Sequence, residues 1–146
     1  MKCLLHFFIL LIGFSSNCQN KILYKFTDNR LLTIQNEKQG VIDTLNNIII
    51  PFEYTHIEFR NDRFILTKDK KVGLFDINYQ EILPVNYNNI LARCNDRFII
   101  WSFDDKDGII DNKGNVILPL EYKNITSIHR SDKFYIVKNK NGLEGI

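Results

Sequence analysis

The chain has 146 residues and a formal net charge of +2 at pH 7, with 25% charged and 45% apolar residues. This length supports one domain with a modest core rather than two. The composition argues against a disordered chain, and the lack of a dense basic segment predicts no nucleic-acid partner.

The first predicted element is a secretory signal peptide over residues 1–18. Lys2 precedes an apolar run from Leu4 to Phe14, and small and polar residues follow it, which is the layout of such a signal. The run is shorter than the ~20 residues that a membrane-spanning helix needs. We therefore expect an exported protein that is periplasmic, outer-membrane-associated or extracellular.

Two processing products remain open. Cleavage before Gln19 would give a soluble chain of residues 19–146, whereas Cys18 resembles the lipid-accepting cysteine of a bacterial lipoprotein. Contact with a membrane is expected only through a lipid at Cys18. Both products leave Cys94 as the sole free cysteine, so no internal disulfide is expected.

The rest of the chain is a repeat. A half unit at 19–39 precedes units at 40–72, 73–107 and 108–141, and the start of a further unit reaches 146. A glycine, an aspartate, a proline and a tyrosine recur in step through these units. The recurring positions are Gly40, Gly73 and Gly108; Asp43, Asp76 and Asp111; Pro51, Pro84 and Pro119; and Tyr54, Tyr87 and Tyr122.

Each unit is predicted to consist of β structure. An apolar pair follows the glycine, the aspartate forms a turn, and a second strand ends at the proline, which cannot donate to a ladder. Asn46 and Gly114 tolerate a left-handed backbone in this turn. Tyr79 occupies the same position in the middle unit, so its turn is expected to differ. A further extended segment and the most apolar strand complete the unit.

A unit of about 34 residues cannot bury its own apolar face, so neighbouring units must cover it. The prediction is an all-β repeat protein of about 3.5 units of 33–35 residues, stacked as an open β-solenoid or twisted meander. A partial propeller-like barrel is the alternative.

The phrase Gly-aliphatic-aliphatic-Asp, a short turn, two aliphatics and Pro-x-x-Tyr-x-x-Ile resembles the bacterial WG β-repeats over about residues 30–146. In that family a tryptophan normally precedes the glycine. Here Gln39, Val72, Asp107 and Glu144 occupy the position, so the chain resembles a divergent member that lacks the tryptophan. The resemblance implies an exported or surface-associated scaffold or interaction role without catalytic residues.

Candidate chemistry is sparse. "DDKDG" at 104–108 lacks the ligand register of a calcium loop, and Cys94, His56 and His129 lack zinc spacing. No catalytic residue, metal or cofactor is predicted, and the repeated aspartates are interpreted as turn formers. A small secreted hydrolase that uses Cys94 or the aspartate ladder is the alternative from another class.

Two ladders are candidate ligand surfaces. One is basic and comprises Arg30, Arg63, Arg97 and Lys133, while the other is formed by the repeated tyrosines, which are favoured as core. We predict a non-enzymatic binding or structural module at the bacterial envelope, with a protein or envelope polysaccharide as partner. The chain ends inside a strand-like phrase, so end-to-end self-association and a truncated remnant of a longer array remain open.

Overall fold

The computed structural model describes residues 21–27, 29–93, 96–127, 135–138, 141 and 144–145. The predicted signal peptide over residues 1–18 lies outside this part of the chain, as do Cys94, His129 and Lys133. The strands are β1 Lys21–Thr27, β2 Arg30–Gln35, β3 Lys38–Ile42, β4 Ile48–Tyr54, β5 His56–Arg60, β6 Arg63–Lys68, β7 Lys71–Asp76, β8 Glu81–Tyr87, β9 Asn89–Arg93, β10 Arg97–Trp101, β11 Asp107–Asp111, β12 Val116–Tyr122, β13 Asn124–Ser127, β14 Tyr135–Lys138 and β15 Glu144–Gly145. None of the described residues belongs to a helix that could span a membrane.

The strands form four antiparallel meander sheets in chain order. Sheet 1 holds β1–β4, sheet 2 holds β5–β8, sheet 3 holds β9–β12, and β13–β15 form sheet 4. The third strand of each of the first three sheets approaches the first strand of the next sheet. The all-β repeat architecture predicted from the sequence is therefore confirmed. A four-stranded meander is a unit that propellers also use.

The sheets do not begin at the repeated glycine. The first strands of sheets 2, 3 and 4 start two residues after Tyr54, Tyr87 and Tyr122 respectively, so the glycine falls in the third strand of a sheet. Tight two-residue turns join several strands, and both of their residues have positive φ, for example Asn61 at 49° and Asp62 at 54°. Turns of this kind match the twist of the strands they connect.

The repeated glycine permits close approach of the fourth strand of the sheet. Gln39 pairs with Tyr54 and Val41 pairs with Ile50, so three residues of β4, including Pro51, lie opposite Gly40. A Cβ added at Gly40 would lie 2.9 Å from the Ile50 carbonyl oxygen. The same irregular register recurs between β7 and β8 and between β11 and β12.

The prediction that the second strand ends at the proline is wrong. Strands β4, β8 and β12 run through Pro51, Pro84 and Pro119 to the repeated tyrosine. These strands lie at the edge of their sheets, where proline removes a donor that the ladder does not need. The bulge opposite the glycine accommodates the proline ring.

The turn between the third and fourth strands is the same in all three units. The side chains of Asp43, Asp76 and Asp111 each accept hydrogen bonds from the backbone N–H groups two and four residues further on, at 2.7–2.8 Å. The third residue after the aspartate has positive φ in each case, 65° at Asn46, 63° at Tyr79 and 89° at Gly114. The expectation that the Tyr79 turn differs is wrong, because tertiary contacts hold Tyr79 in a left-handed backbone.

The core consists of apolar layers between successive sheets. Strand β6 is buried on both faces, since Phe64 and Leu66 pack toward sheet 1 while Ile65 packs toward sheet 3. Strand β10 behaves likewise, with Phe98 toward sheet 2 and Ile99 toward sheet 4. Each unit therefore depends on its neighbours for burial, as the repeat predicts.

A polar clip ties successive sheets at the position that precedes the repeated glycine. Gln39 Oε1 accepts a hydrogen bond from the Ile57 backbone N–H at 2.7 Å, and Asp107 Oδ2 accepts one from Ile125 N–H at 3.1 Å. Val72 has no acceptor, and there Asn89 Oδ1 accepts from the N–H of its neighbour Ile90 at 2.9 Å. The position of the missing tryptophan thus carries a sheet-to-sheet hydrogen bond in two of three junctions.

Candidate functional site

A groove of about 480 Å³ lies between sheets 1 and 2, on the side of β4 and β8. We call it the Tyr79 groove. Its lining combines charged and aromatic side chains from both sheets. The lining residues are Glu53, Tyr54, Lys68, Asp69, Lys71, Phe75, Tyr79, Glu81 and Val85.

Two polar contacts cross the Tyr79 groove from one sheet to the other. Lys68 Nζ lies 2.8 Å from Glu53 Oε2, and the hydroxyl oxygens of Tyr54 and Tyr79 lie 2.5 Å apart. The hydrogen bond from Lys68 lowers the pKa of Glu53, and the same contact raises the pKa of Lys68. Both groups are therefore ionised at neutral pH, and the pair fixes two long side chains beside the groove.

The Tyr79 ring is held on one side by Phe75. Their ring centroids lie 5.1 Å apart with an interplanar angle of 18°, and Tyr54 meets Tyr79 edge-on at 6.5 Å. Phe75 and Tyr54 are buried, whereas Tyr79 is half-buried. Burial, followed by the hydrogen bond to Tyr79, raises the pKa of Tyr54, so this hydroxyl stays protonated.

Tyr79 adopts a backbone conformation that is unfavourable for its residue type. Its φ of 63° lies in the left-handed region, which costs a tyrosine about 1 kcal/mol relative to glycine. Asn46 and Gly114 occupy the equivalent turns without that difficulty. Outliers held by their surroundings are concentrated at functional sites in proteins. The aromatic contacts and the hydroxyl pair are the surroundings that hold Tyr79.

The next junction lacks this chemistry although its backbone is equivalent. By register, Asn86, Ser102, Ile110 and Gly114 stand where the Tyr79 groove has Glu53, Lys68, Phe75 and Tyr79. Gly114 lies against Ile82 there, so that an added Cβ would be 3.0 Å from Ile82 Cγ2. The described residues of the second junction therefore lack the side chains of the Tyr79 groove, so the repeat alone does not produce it.

A second cavity of about 580 Å³ lies between β1, β2 and β5 and is lined chiefly by apolar and aromatic side chains, including Tyr24, Phe26 and Phe59. Tyr24 is 62% exposed, whereas the Phe26 ring packs on Phe59 and Phe64. This cavity has one ion pair at its rim, between Arg60 and Glu58. It is a continuation of the apolar layer between sheets 1 and 2 and presents fewer converging polar groups than the Tyr79 groove.

Two residues of the basic ladder predicted from the sequence, Arg63 and Arg97, contact the next sheet. Arg63 Nε donates to the Asn112 carbonyl oxygen of sheet 3 at 2.8 Å, and the Arg97 guanidinium lies 5.7 Å from the Tyr135 ring centroid of sheet 4. Arg30 begins β2 and contributes to the lowered pKa of Asp43. The register of β14 aligns Tyr135 with Phe64 and Phe98.

The tyrosine ladder is not uniform. Tyr54 is 3% exposed and belongs to the core between sheets 1 and 2, whereas Tyr87 and Tyr122 are half-buried and pack against the next two core layers. The three tyrosines therefore serve mainly as packing residues.

Self-association through an end of the stack stays a prediction. Tyr24 on β1 is exposed, while Thr33 and Ile42 on the face of sheet 1 turned away from sheet 2 are buried.

The repeated aspartates and the acidic turn take part in local structure. The carboxylates of Asp43 and Asp111 each also accept from an asparagine side chain at 2.8 Å, and hydrogen bonding to Asn47 and Asn115 lowers their pKa values. The three aspartates lie in separate sheets. Within the described ranges no three His, Cys, Asp or Glu side chains gather as a metal site.

Sequence reasoning did not identify Tyr79 as a lining residue of a groove, but it did single it out as the exception in its turn. The signal was the residue type: a tyrosine where the repeat has asparagine or glycine. The sequence does not indicate a contact between Glu53 and Lys68, because they are 15 residues apart and meet only where sheet 1 packs against sheet 2.

The fold and the junctions define a protein of stacked antiparallel β-repeats. The family model for the WG containing repeat matches residues 40–71 and 108–143. Two regions of the chain are therefore WG-containing repeats, which confirms the resemblance stated from the sequence. The segment between them, which holds Tyr79, is outside the matched residues.

Comparison with solved structures gives designed proteins. The computationally designed Ika4 protein is 17% identical with a TM-score of 0.42, and the match covers 82% of this chain and 85% of that one. The computationally designed Ika8 protein is also 17% identical, with a TM-score of 0.40 and coverage of 82% and 43%. No curated protein matches the chain.

Proposed function

We propose that this β-repeat protein is an exported, non-catalytic binding module of the bacterial envelope and that the Tyr79 groove is its ligand site. The observation that carries the proposal is the departure of the first junction from the pattern of the second. Tyr79 keeps a left-handed backbone at φ 63° beside an ion pair that the next junction lacks. A structural repeat does not require either feature.

Two further observations support the parts of the proposal. The layout of residues 1–18 is typical of an export signal, which supports an envelope or extracellular location. The repeated acids are engaged in turns by hydrogen bonds of 2.7–2.8 Å, which supports a binding role over hydrolysis by an aspartate pair.

Mass spectrometry of the exported protein tests the location. A chain that begins at Gln19 or at an acylated Cys18 is expected, and a chain that retains Met1 and stays in the cytoplasm would contradict export.

The binding role is tested with residues 19–146 immobilised and exposed to bacterial envelope fractions. Tyr79→Asn is the test variant, because Asn46 shows that asparagine suits this turn. Tyr24→Asn is the matched control, since Tyr24 is exposed and lies outside the Tyr79 groove. We expect retention of envelope material by the wild type and by Tyr24→Asn, and loss with Tyr79→Asn. Equal retention by all three proteins, or none, would refute the groove as the site.

A further inference from the structure

We propose that the Tyr79 groove binds a neutral saccharide, with one sugar ring against Tyr79 and hydroxyl groups bonded to the charged rim. This inference rests on the proposed function, because it names the ligand class of the same groove. It goes beyond that function by naming one ligand class, and charged polymers and peptides are outcomes that the test distinguishes.

The charge of the groove favours a neutral ligand. Three carboxylates, from Glu53, Asp69 and Glu81, are interspersed with the ammonium groups of Lys68 and Lys71. An anionic polymer would meet the carboxylates and a cationic one the lysines, so both would be repelled at part of the surface. A neutral polar ligand avoids both repulsions.

The rim offers both types of hydrogen-bonding partner to such a ligand. Carboxylates only accept and ammonium groups only donate, while a sugar hydroxyl does both. Glu53 and Lys68 already hold each other at 2.8 Å, and Lys71 Nζ lies 3.3 Å from Asn86 Oδ1. Side chains fixed in this way lose less conformational entropy when a ligand binds.

The aromatic side of the groove matches the apolar face of a sugar ring. The C–H groups of a pyranose form a weakly apolar face that packs on an aromatic ring, while its hydroxyls point outward. Phe75 supports one face of Tyr79 at a centroid distance of 5.1 Å, which fixes the plane of the Tyr79 ring. The Tyr54 hydroxyl, which bonds to Tyr79, also hydrogen-bonds to the Glu53 carboxylate, so the two hydroxyl groups use both of their protons and leave acceptor oxygens for a sugar hydroxyl.

The size of the groove is consistent with a short part of a glycan. Its volume of about 480 Å³ falls within the usual range for small-molecule sites. The groove is lined by side chains of two edges and remains open, so the rest of a longer glycan can extend from it into solvent.

The test is binding of residues 19–146 to an array of neutral hexose and N-acetylhexosamine oligosaccharides beside sulfated and uronic-acid glycans. We expect binding to neutral glycans that persists at physiological salt. Tyr79→Asn should weaken it at least tenfold, Tyr79→Phe should weaken it less because the ring remains, and Tyr24→Asn should leave it unchanged. Absence of Tyr79-dependent binding to neutral glycans, or a salt-sensitive preference for anionic ones, overturns the saccharide inference.

A second arm separates this failure from failure of the binding role itself. Envelope fractions are treated with proteinase K before retention on immobilised protein. Retention that survives the protease and depends on Tyr79 supports a saccharide. Tyr79-dependent retention that the protease abolishes shows a protein ligand, so the saccharide inference is wrong while the proposed function stands. If retention does not depend on Tyr79 either before or after protease treatment, the saccharide inference and the proposed function are both wrong.

Discussion

Replacement of Gln39 by valine tests the polar clip between sheets 1 and 2. Gln39 Oε1 is 2.7 Å from the Ile57 backbone nitrogen, and Ile57 is only 3% exposed. In Gln39→Val the buried N–H loses its acceptor, which costs about 1–3 kcal/mol. For a chain of this size that corresponds to a fall in Tm of roughly 3–10 °C.

The next junction shows how the lost acceptor can be replaced. At the next junction Val72 stands in the place of Gln39, and Asn89 Oδ1 accepts from Ile90 N–H at 2.9 Å. His56 occupies the position of Asn89 and is exposed. The double variant Gln39→Val with His56→Asn should therefore recover at least half of the loss, whereas His56→Asn alone should change stability by no more than about 0.5 kcal/mol.

Urea unfolding of residues 19–146 at pH 7, followed by far-UV circular dichroism, measures the four stabilities of this cycle. The slope m must be unchanged for the midpoints to be compared, because a sheet that unfolds separately would lower it. We expect a coupling free energy of about 0.5 kcal/mol or more between the two positions. A Gln39→Val protein as stable as the wild type, or a double variant no better than Gln39→Val, would refute the clip.

Three further predictions concern the repeat positions. Burial raises the pKa of Asp107, so the folded chain binds this proton more tightly than the unfolded chain does. The stability of the wild type relative to Asp107→Asn should therefore rise as the pH is lowered from 7 toward 4. A stability difference that does not change with pH would contradict this. Hydrogen bonds lower the pKa of Asp111, so its contribution is present at neutral pH and should be lost as the pH falls below 3.8, which makes the effect of Asp111→Ala smaller in acid than at pH 7 in the same urea assay. Gly40→Ala should lower the free energy of unfolding in urea by about 2 kcal/mol or more, and by more than Gly108→Ala does. The added Cβ would lie 2.7 Å from the Phe52 ring at Gly40, whereas the nearest contact at Gly108 is 3.1 Å. Equal losses of stability would count against close approach as the reason for the glycine.

The repeated features were predictable because they depend on local geometry. The aspartate turn needs only an acid, a short loop and a residue that accepts positive φ, and sequence spacing records all three. The apolar strands were predictable for the same reason, since β6 and β10 are continuous apolar runs buried on both faces.

Features that depend on contacts between sheets were not predictable from the spacing. The proline was placed at a strand end, because its position in an edge strand with a bulge becomes clear only when the neighbouring strand is known. The Tyr79 turn was expected to differ, because its stabilising contact with Tyr54 spans 25 residues of sequence. Non-local contacts of this kind leave no trace in local residue patterns.

The backbone geometry is the same in each unit, so a residue that departs from the repeat, such as Tyr79, needs a reason other than stacking. Gly40, Gly73 and Gly108 recur because a Cβ at each would lie 3.1 Å or less from the facing strand, so any unit that stacks must keep them. Stacking does not require a tyrosine at position 79, since Gly114 closes the next junction directly on Ile82. At the first junction the larger side chain instead bridges the sheets through Tyr54 and borders an open groove. The strained tyrosine and the groove that it borders are therefore the features on which the proposed ligand site rests.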